Sequence, residues 1–249
     1  MAWTPRLSSA ITFLLTSSLS STCCNPQTEN AWYSKAARRS GWCTSAITDI
    51  PDLDFTMIDG SVGDAMVAMV PVLAAAREHA ELPSLELTEG DTPSILYVGP
   101  LRAGTPRRIK FDVSDSEVVD SIEQRTMLAG LWPDLPALAP FDVYPASEIA
   151  AEKLRCIIQR VQCRDLYDIL RLVEDLDVDL TEVRPLFERK AEAKNINPAS
   201  FEARFEDRLN RYKSRWEAEM REHVINPPRF DDVVRVVRRH LRSAGMIDN

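Results

Sequence analysis

The sequence predicts an α+β fold, a small mixed sheet followed by a helical subdomain. Strand-length alternations of apolar and polar residues cluster between residues 52 and 113. Helical periodicity then takes over from Ala146 to the end, and no internal repeat or low-complexity tract interrupts either part. The expected division is residues 1–50, an N-terminal segment without a sustained period or stable packing of its own; residues 51–145, an α/β core; and residues 146–249, the helical subdomain.

The first two dozen residues, "MAWTPRLSSAITFLLTSSLSSTCC", carry a short apolar centre, "ITFLL", diluted by Ser and Thr, with Arg6 as the one charge before it. That is a weak match to a signal peptide. Beyond residue 50, "DLDFTMID" alternates as a strand. "GSVGDAMVAMVPVLAAAREHAEL" reads as a helix that Pro71 is expected to kink or split. "SLELTE", "SILYVGPL" and "RRIKFDVS" are three further strands separated by turn-formers, and "LWPDLPALAPFDVYP" is an ordered proline-rich connection. The helices follow: "ASEIAAEKLRCIIQR" with Ser147 as its expected cap, "RDLYDILRLVEDL", "DLTEVRPLFERKAEAKNI", "PASFEARFEDRLNRYKSRWEAEMREHV", and "RFDDVVRVVRRHLRSAGMI" with Gly245 as a stop.

The chain of 249 residues is 45% hydrophobic and 27% charged, with a net charge of -8, which disfavours holding nucleic acid by bulk electrostatics. Local basic stretches, Pro106–Phe111 and Val234–Ser243, leave room for an RNA docked on one face. No apolar run is long enough to span a bilayer. The cysteines Cys23, Cys24, Cys43, Cys156 and Cys163 fit neither a zinc site nor a disulfide framework. Cys156 and Cys163 read as small core residues, and a cytoplasmic setting is the natural expectation.

The chemistry-bearing residues are carboxylates. Asp52 and Asp54, two apart on a strand, leave the same face, while Leu53 and Phe55 turn to the other. In "IKFDV", Asp112 lies opposite in sense to Ile109, Phe111 and Val113. If that strand neighbours "DLDF", Asp112 becomes a third acid on one rim, suited to divalent ions that neutralise a triphosphate. The competing reading is a strand end with solvated acids. Downstream, Lys153 on one helix and Arg164, Asp165 and Asp168 on the next read, taken alone, as the wet faces of two surface helices; closing over the acid rim, they can instead supply phosphate and base contacts.

The stretch "YPASEIAAEKLRCIIQRVQCRDLYDILRLV" resembles the signature of the AbiEii/AbiGii toxin family of nucleotidyltransferases, which includes the MenT-type toxins. Glu148, Lys153, Leu154, Arg160, Arg164, Asp165, Tyr167 and Asp168 fall where that pattern wants them. "DLDFT" and "IKFDV" fill its two strand positions in order. The resemblance covers about residues 52 to 249 and implies a nucleotidyltransferase-like fold and a metal-dependent toxin of a toxin–antitoxin system. Such an enzyme moves a nucleotide from an NTP to an acceptor, with the 3′ end of a tRNA as one candidate. It further implies Mg2+ or Mn2+ held by Asp52, Asp54 and Asp112. Lys153 and Asp165 join those acids as catalytic residues, Lys153, Arg164 and Asp168 bind nucleotide, and an antitoxin protein is the cognate partner.

One departure matters. The family's glycine turn and the serine before its D-x-D are absent, and Pro51 directly precedes Asp52. Read two nucleotides later, the degenerate codons of "AWYSKAARRSGWCTSAITDIP" (residues 31–51) permit "MVFKGGTALRMVYFRDYRYS", a string not present in this chain, which restores both. A frame-shifted N-terminal segment is therefore one expectation and a divergent segment the other. An inactive, decayed scaffold without a phosphate-cradling turn is the alternative to the enzyme, with protein phosphorylation on the same fold a third reading.

Overall fold

The computed structural model describes residues 13–15, 52–58, 60–79, 86–88, 94–98, 106–125, 141–224 and 226–248. The expectations for Cys23, Cys24, Cys43 and the codon reading of residues 31–51 lie outside these. The chain forms two compact units. Among the described residues, the first holds the strands and the helix at Val62–His79; the second holds residues 118–121 and the chain from Tyr144 onward.

The first unit is a seven-stranded mixed sheet: β1 (Phe13–Leu15), β2 (Asp52–Met57), β3 (Glu86–Thr88), β4 (Ser94–Tyr97), β5 (Arg107–Ser114), β6 (Glu123–Arg125) and β7 (Phe141–Val143), in the order β3-β4-β5-β2-β1-β7-β6. β2 pairs with β5 and β1 with β7 in parallel; the other neighbours are antiparallel. Three strands arise where no strand was expected. β1 lies inside the N-terminal segment, β7 inside the proline-rich connection, and β6 in a polar stretch. Each has three residues, too few to show a period, and is fixed by its neighbours in the ladder rather than by its own pattern.

Helix α1 (Val62–His79) follows β2 and lies beside β3 and β5. Ser61 and Asp64 form a reciprocal cap. The Asp64 carboxylate accepts the Ser61 N–H at 2.9 Å, and Ser61 Oγ accepts the Asp64 N–H at 3.2 Å. The hydroxyl and amide of Ser61 hold the Asp64 carboxyl below its ordinary range. Gly60 makes the turn into this cap; a Cβ there would sit 2.8 Å from the Met57 methyl. Of the two expected effects of Pro71, the split does not occur: α1 runs unbroken through it. The carbonyl it leaves without a helical donor belongs to Val67, which is largely exposed, so water can satisfy it.

The second unit is helical: α2 (Ala146–Gln159), α3 (Cys163–Asp175), α4 (Leu180–Ala193), α5 (Phe201–His223) and α6 (Phe230–Ser243). α2 and α3 are central, α2 packing on α4 and α5, and α3 on α5 and α6. Their shared core includes Leu154, Ile157, Leu166, Ile169, Phe187 and Phe205, all nearly or wholly buried. Cys156 and Cys163 are buried here as expected, and desolvation pushes their thiols up to about 11 and about 12. Ser147 is not the cap of α2. Pro145 occupies that position with no side-chain bond, and Ser147 falls in the first turn. α4 is capped by Asp179, whose carboxylate accepts the Thr181 N–H at 2.8 Å. Gly245 does stop α6. With φ 63° it closes a Schellman turn in which Met246 N–H reaches the Leu241 carbonyl at 2.9 Å.

Residues 118–121 form a strap on the helical unit, held by a buried pair. Glu148 Oε1 accepts the N–H of Asp120 at 2.6 Å and of Ser121 at 3.0 Å. Lys190 Nζ donates to the Val118 carbonyl at 2.5 Å and lies 2.8 Å from Glu148 Oε2. Both side chains are fully buried, and the Lys190 ammonium stands 5.3 Å from the Tyr144 ring centre. Outside this pair, Arg189 reaches the Asp120 carboxylate.

Candidate functional site

In the first unit, the register of β2 on β5 sets Asp54 directly beside Asp112 and Asp52 beside Lys110. Neighbours in register share a face, so the Asp54 and Asp112 side chains leave the sheet on the same side. Asp112 is exposed and Asp54 half-buried. The side chain of Asp52 lies outside the described residues. Two adjacent carboxylates offer the hard oxygen donors that Mg2+ or Mn2+ takes, and an exposed acid leaves positions for water and phosphate oxygens. Among the described residues there is no group of three acids, histidines or cysteines placed to hold a metal ion by themselves.

In the second unit, α2 and α3 bring together Lys153, Asp165 and Asp168. Asp165 and Asp168 are i, i+3 on one face of α3. Lys153 Nζ lies 3.2 Å from Asp165 Oδ1 and 2.6 Å from Asp168 Oδ2. Arg160, just past the end of α2, grips Asp165 from the other side: Nε at 2.8 Å from Oδ2 and Nη2 at 3.0 Å from Oδ1. Sequence reasoning placed Arg160 in the motif but gave it no role; its position beyond the helix end hides the fork.

Both acids are shut away from solvent and behave oppositely. Burial pushes the Asp165 carboxyl up, but the Arg160 hydrogen bonds and the Lys153 charge outweigh it and hold Asp165 below the ordinary range. For Asp168, burial wins over the Lys153 charge and the carboxyl is raised. Its Oδ1 has no hydrogen-bond partner among the described residues. Burial depresses the Lys153 ammonium, yet Asp168 and Asp165 together raise it. The Arg160 guanidinium is raised as well, chiefly by its bond to Asp165. Arg164 donates to Gln162 Oε1 at 3.1 Å, and its charge also acts on Asp168.

The basic stretch on α6 is largely neutralised in place. Arg235 pairs with Asp232, Arg238 with Glu206, and Arg239 with Glu174.

A mixed sheet with paired acids on adjacent parallel strands, followed by a helical unit carrying a lysine–aspartate cluster, defines an α+β protein of nucleotidyltransferase-like fold. The model of the family described as nucleotidyl transferase AbiEii toxin, type IV toxin–antitoxin system, matches residues 51–236, and the chain belongs to that family. No curated protein matches the chain. No helix among the described residues is long and apolar enough to cross a membrane.

Proposed function

We propose that the protein is a metal-dependent nucleotidyltransferase toxin, opposed in the cytoplasm by its cognate antitoxin, that moves a nucleotide from an NTP to an acceptor hydroxyl, with the 3′ end of a tRNA as the leading acceptor. The observation that carries the reading is the pairing of Asp54 with Asp112 on adjacent parallel strands within a chain of the AbiEii family. In the transfer, the acceptor hydroxyl gives up its proton to one of the rim carboxylates as its oxygen attacks the α-phosphorus, the bond from that phosphorus to the bridging oxygen of the β-phosphate breaks, and pyrophosphate leaves.

Asp52, Asp54 and Asp112 are the residues to hold Mg2+ or Mn2+, which when bound neutralises phosphate charge and lowers the barrier to attack. The chain's own groups do the rest. Lys153 contacts phosphate oxygens, Asp165 and the buried Asp168 hold Lys153 in place, and Arg164 is the remaining candidate for a nucleotide contact.

Incubation of the full chain with Mg2+ and NTPs labelled at the α-phosphate or, in parallel, at the γ-phosphate, with RNA and protein both present, tests this. Label in RNA is the expected result. Label in protein would favour protein modification on the same scaffold. No label with any NTP would overturn the transferase reading in favour of an inactive scaffold without a phosphate-cradling turn.

A further inference from the structure

Of the four charged groups in the helical cluster, only the cations reach solvent. The Arg160 side chain is 41% exposed and that of Lys153 13%, against 0% for Asp165 and 1% for Asp168. A cluster built to hold a cation would turn its acids outward; here they stand behind the cations.

The donor inventory points the same way. A guanidinium carries five N–H groups, and Asp165 occupies Arg160 through Nε and Nη2 only; a lysine ammonium carries three, and two are directed at Asp165 and Asp168. Among these four groups it is the cations that offer unspent donors to an incoming molecule; Glu152, 28% exposed on α2, is the outward acid whose charge also acts on Arg160.

Arg160 is also held in place more firmly than a solvated arginine. Its N–H bonds the Cys156 carbonyl at 2.9 Å, its own carbonyl accepts the buried Tyr212 hydroxyl at 3.0 Å, and Asp165 fixes the planar fork.

We infer that Arg160 and Lys153 form a two-cation receptor for the phosphate chain of the nucleotide, with Asp165 as the bracket that sets both rather than as a base. The identity of the ligand as a nucleotide rests on the transferase reading above; the anion receptor rests on the geometry alone. Arg160 thereby joins the binding machinery, and Asp165 is a positioning residue.

The test is calorimetric titration of the full chain with inorganic tripolyphosphate at low salt, without metal, for wild type, Arg160→Gln, Arg160→Lys and the exposed control Arg211→Gln. Wild type and the control are expected to bind alike. Arg160→Gln should weaken binding about tenfold or more, and Arg160→Lys should fall between, keeping the charge but losing the fork. Unfolding curves identify any variant that does not fold, and Arg160→Lys carries the comparison if Arg160→Gln fails.

No binding by wild type, or equal affinity across the folded variants, overturns the receptor. Label transfer distinguishes the two levels. A chain that binds tripolyphosphate through Arg160 yet transfers nothing keeps the receptor and loses the transferase. Transfer with KM for NTP unchanged in Arg160→Lys and Arg160→Gln keeps the transferase and loses the receptor.

Discussion

Lys153 Nζ stands 2.6 Å from Asp168 Oδ2 and 3.2 Å from Asp165 Oδ1, a single ammonium serving two buried carboxylates. Removing it leaves both acids without that charge. Lys153→Met is therefore expected to destabilise the chain by about 3–5 kcal/mol, the range for breaking a buried pair from one side. The shift of the urea midpoint at constant slope measures it.

The two acids should respond unequally to neutralisation. Asp165 is gripped by two cations and held below the ordinary carboxylate range, whereas burial raises Asp168 above it. Asp165→Asn is expected to cost about 2–4 kcal/mol and Asp168→Asn about 1 kcal/mol or less. Equal losses in parallel denaturation curves would contradict the assignment of opposite shifts.

The sign of the pH dependence follows from the same shifts. Asp165 has a folded pKa below its unfolded value of about 3.9, so its stabilisation is present above that value and lost as pH falls through the folded one. Asp168, raised in the folded state, contributes in the opposite sense, present below about 3.9 and lost as pH rises through its folded pKa. The stability gap between wild type and Asp165→Asn should thus narrow below about pH 4, as unfolding free energies at stepped pH would record.

The Glu148–Lys190 pair offers a double-variant test. Lys190→Met strands a buried carboxylate and is expected to cost about 3–5 kcal/mol. Adding Glu148→Gln removes that charge while keeping an oxygen for the Asp120 and Ser121 amides, so the double variant should be more stable than Lys190→Met alone. A double variant less stable than the single one would show that the charge is not what hurts.

The family match begins at residue 51, directly before Asp52. A peptide mass map of the expressed protein over residues 31–51, set beside a fresh nucleotide read of the same codons, separates a frame-shifted segment from a divergent one. Peptides carrying a glycine-glycine-threonine turn are the outcome expected of the frame shift. Peptides matching "AWYSK" would establish the segment as written, and with it a chain without the glycine turn.

Much of this was legible in advance where a period had room to show. The eight residues of β5 alternate, so Asp112 was assigned a face correctly, and its register beside Asp54 followed once the two strands were neighbours. Helical spacing alone left Lys153, Asp165 and Asp168 on the wet faces of two surface helices, and only the family resemblance grouped them; the fold shuts both acids away behind Lys153. Three-residue strands were not legible, because Glu123–Arg125 and Phe141–Val143 acquire their conformation from the ladder between them. The strap clamp was hidden for another reason. Lys190 sits in "ERKAEAK", where nothing local distinguishes it from a surface lysine, and only the fold takes it to zero exposure beside Glu148.

That clamp also bears on how the gene can be cut. The helical unit borrows four residues encoded before β6 and β7, and its buried Glu148 and Lys190 use their backbone as a partner. A fragment beginning at Tyr144 would carry an uncovered ion pair in its interior and two charges with no amide or carbonyl to meet. The helical half is thus not a cassette that recombination or cloning can transplant at its apparent start. A workable excision must bring residues 118–121 along, grafted ahead of Tyr144 by a designed connection.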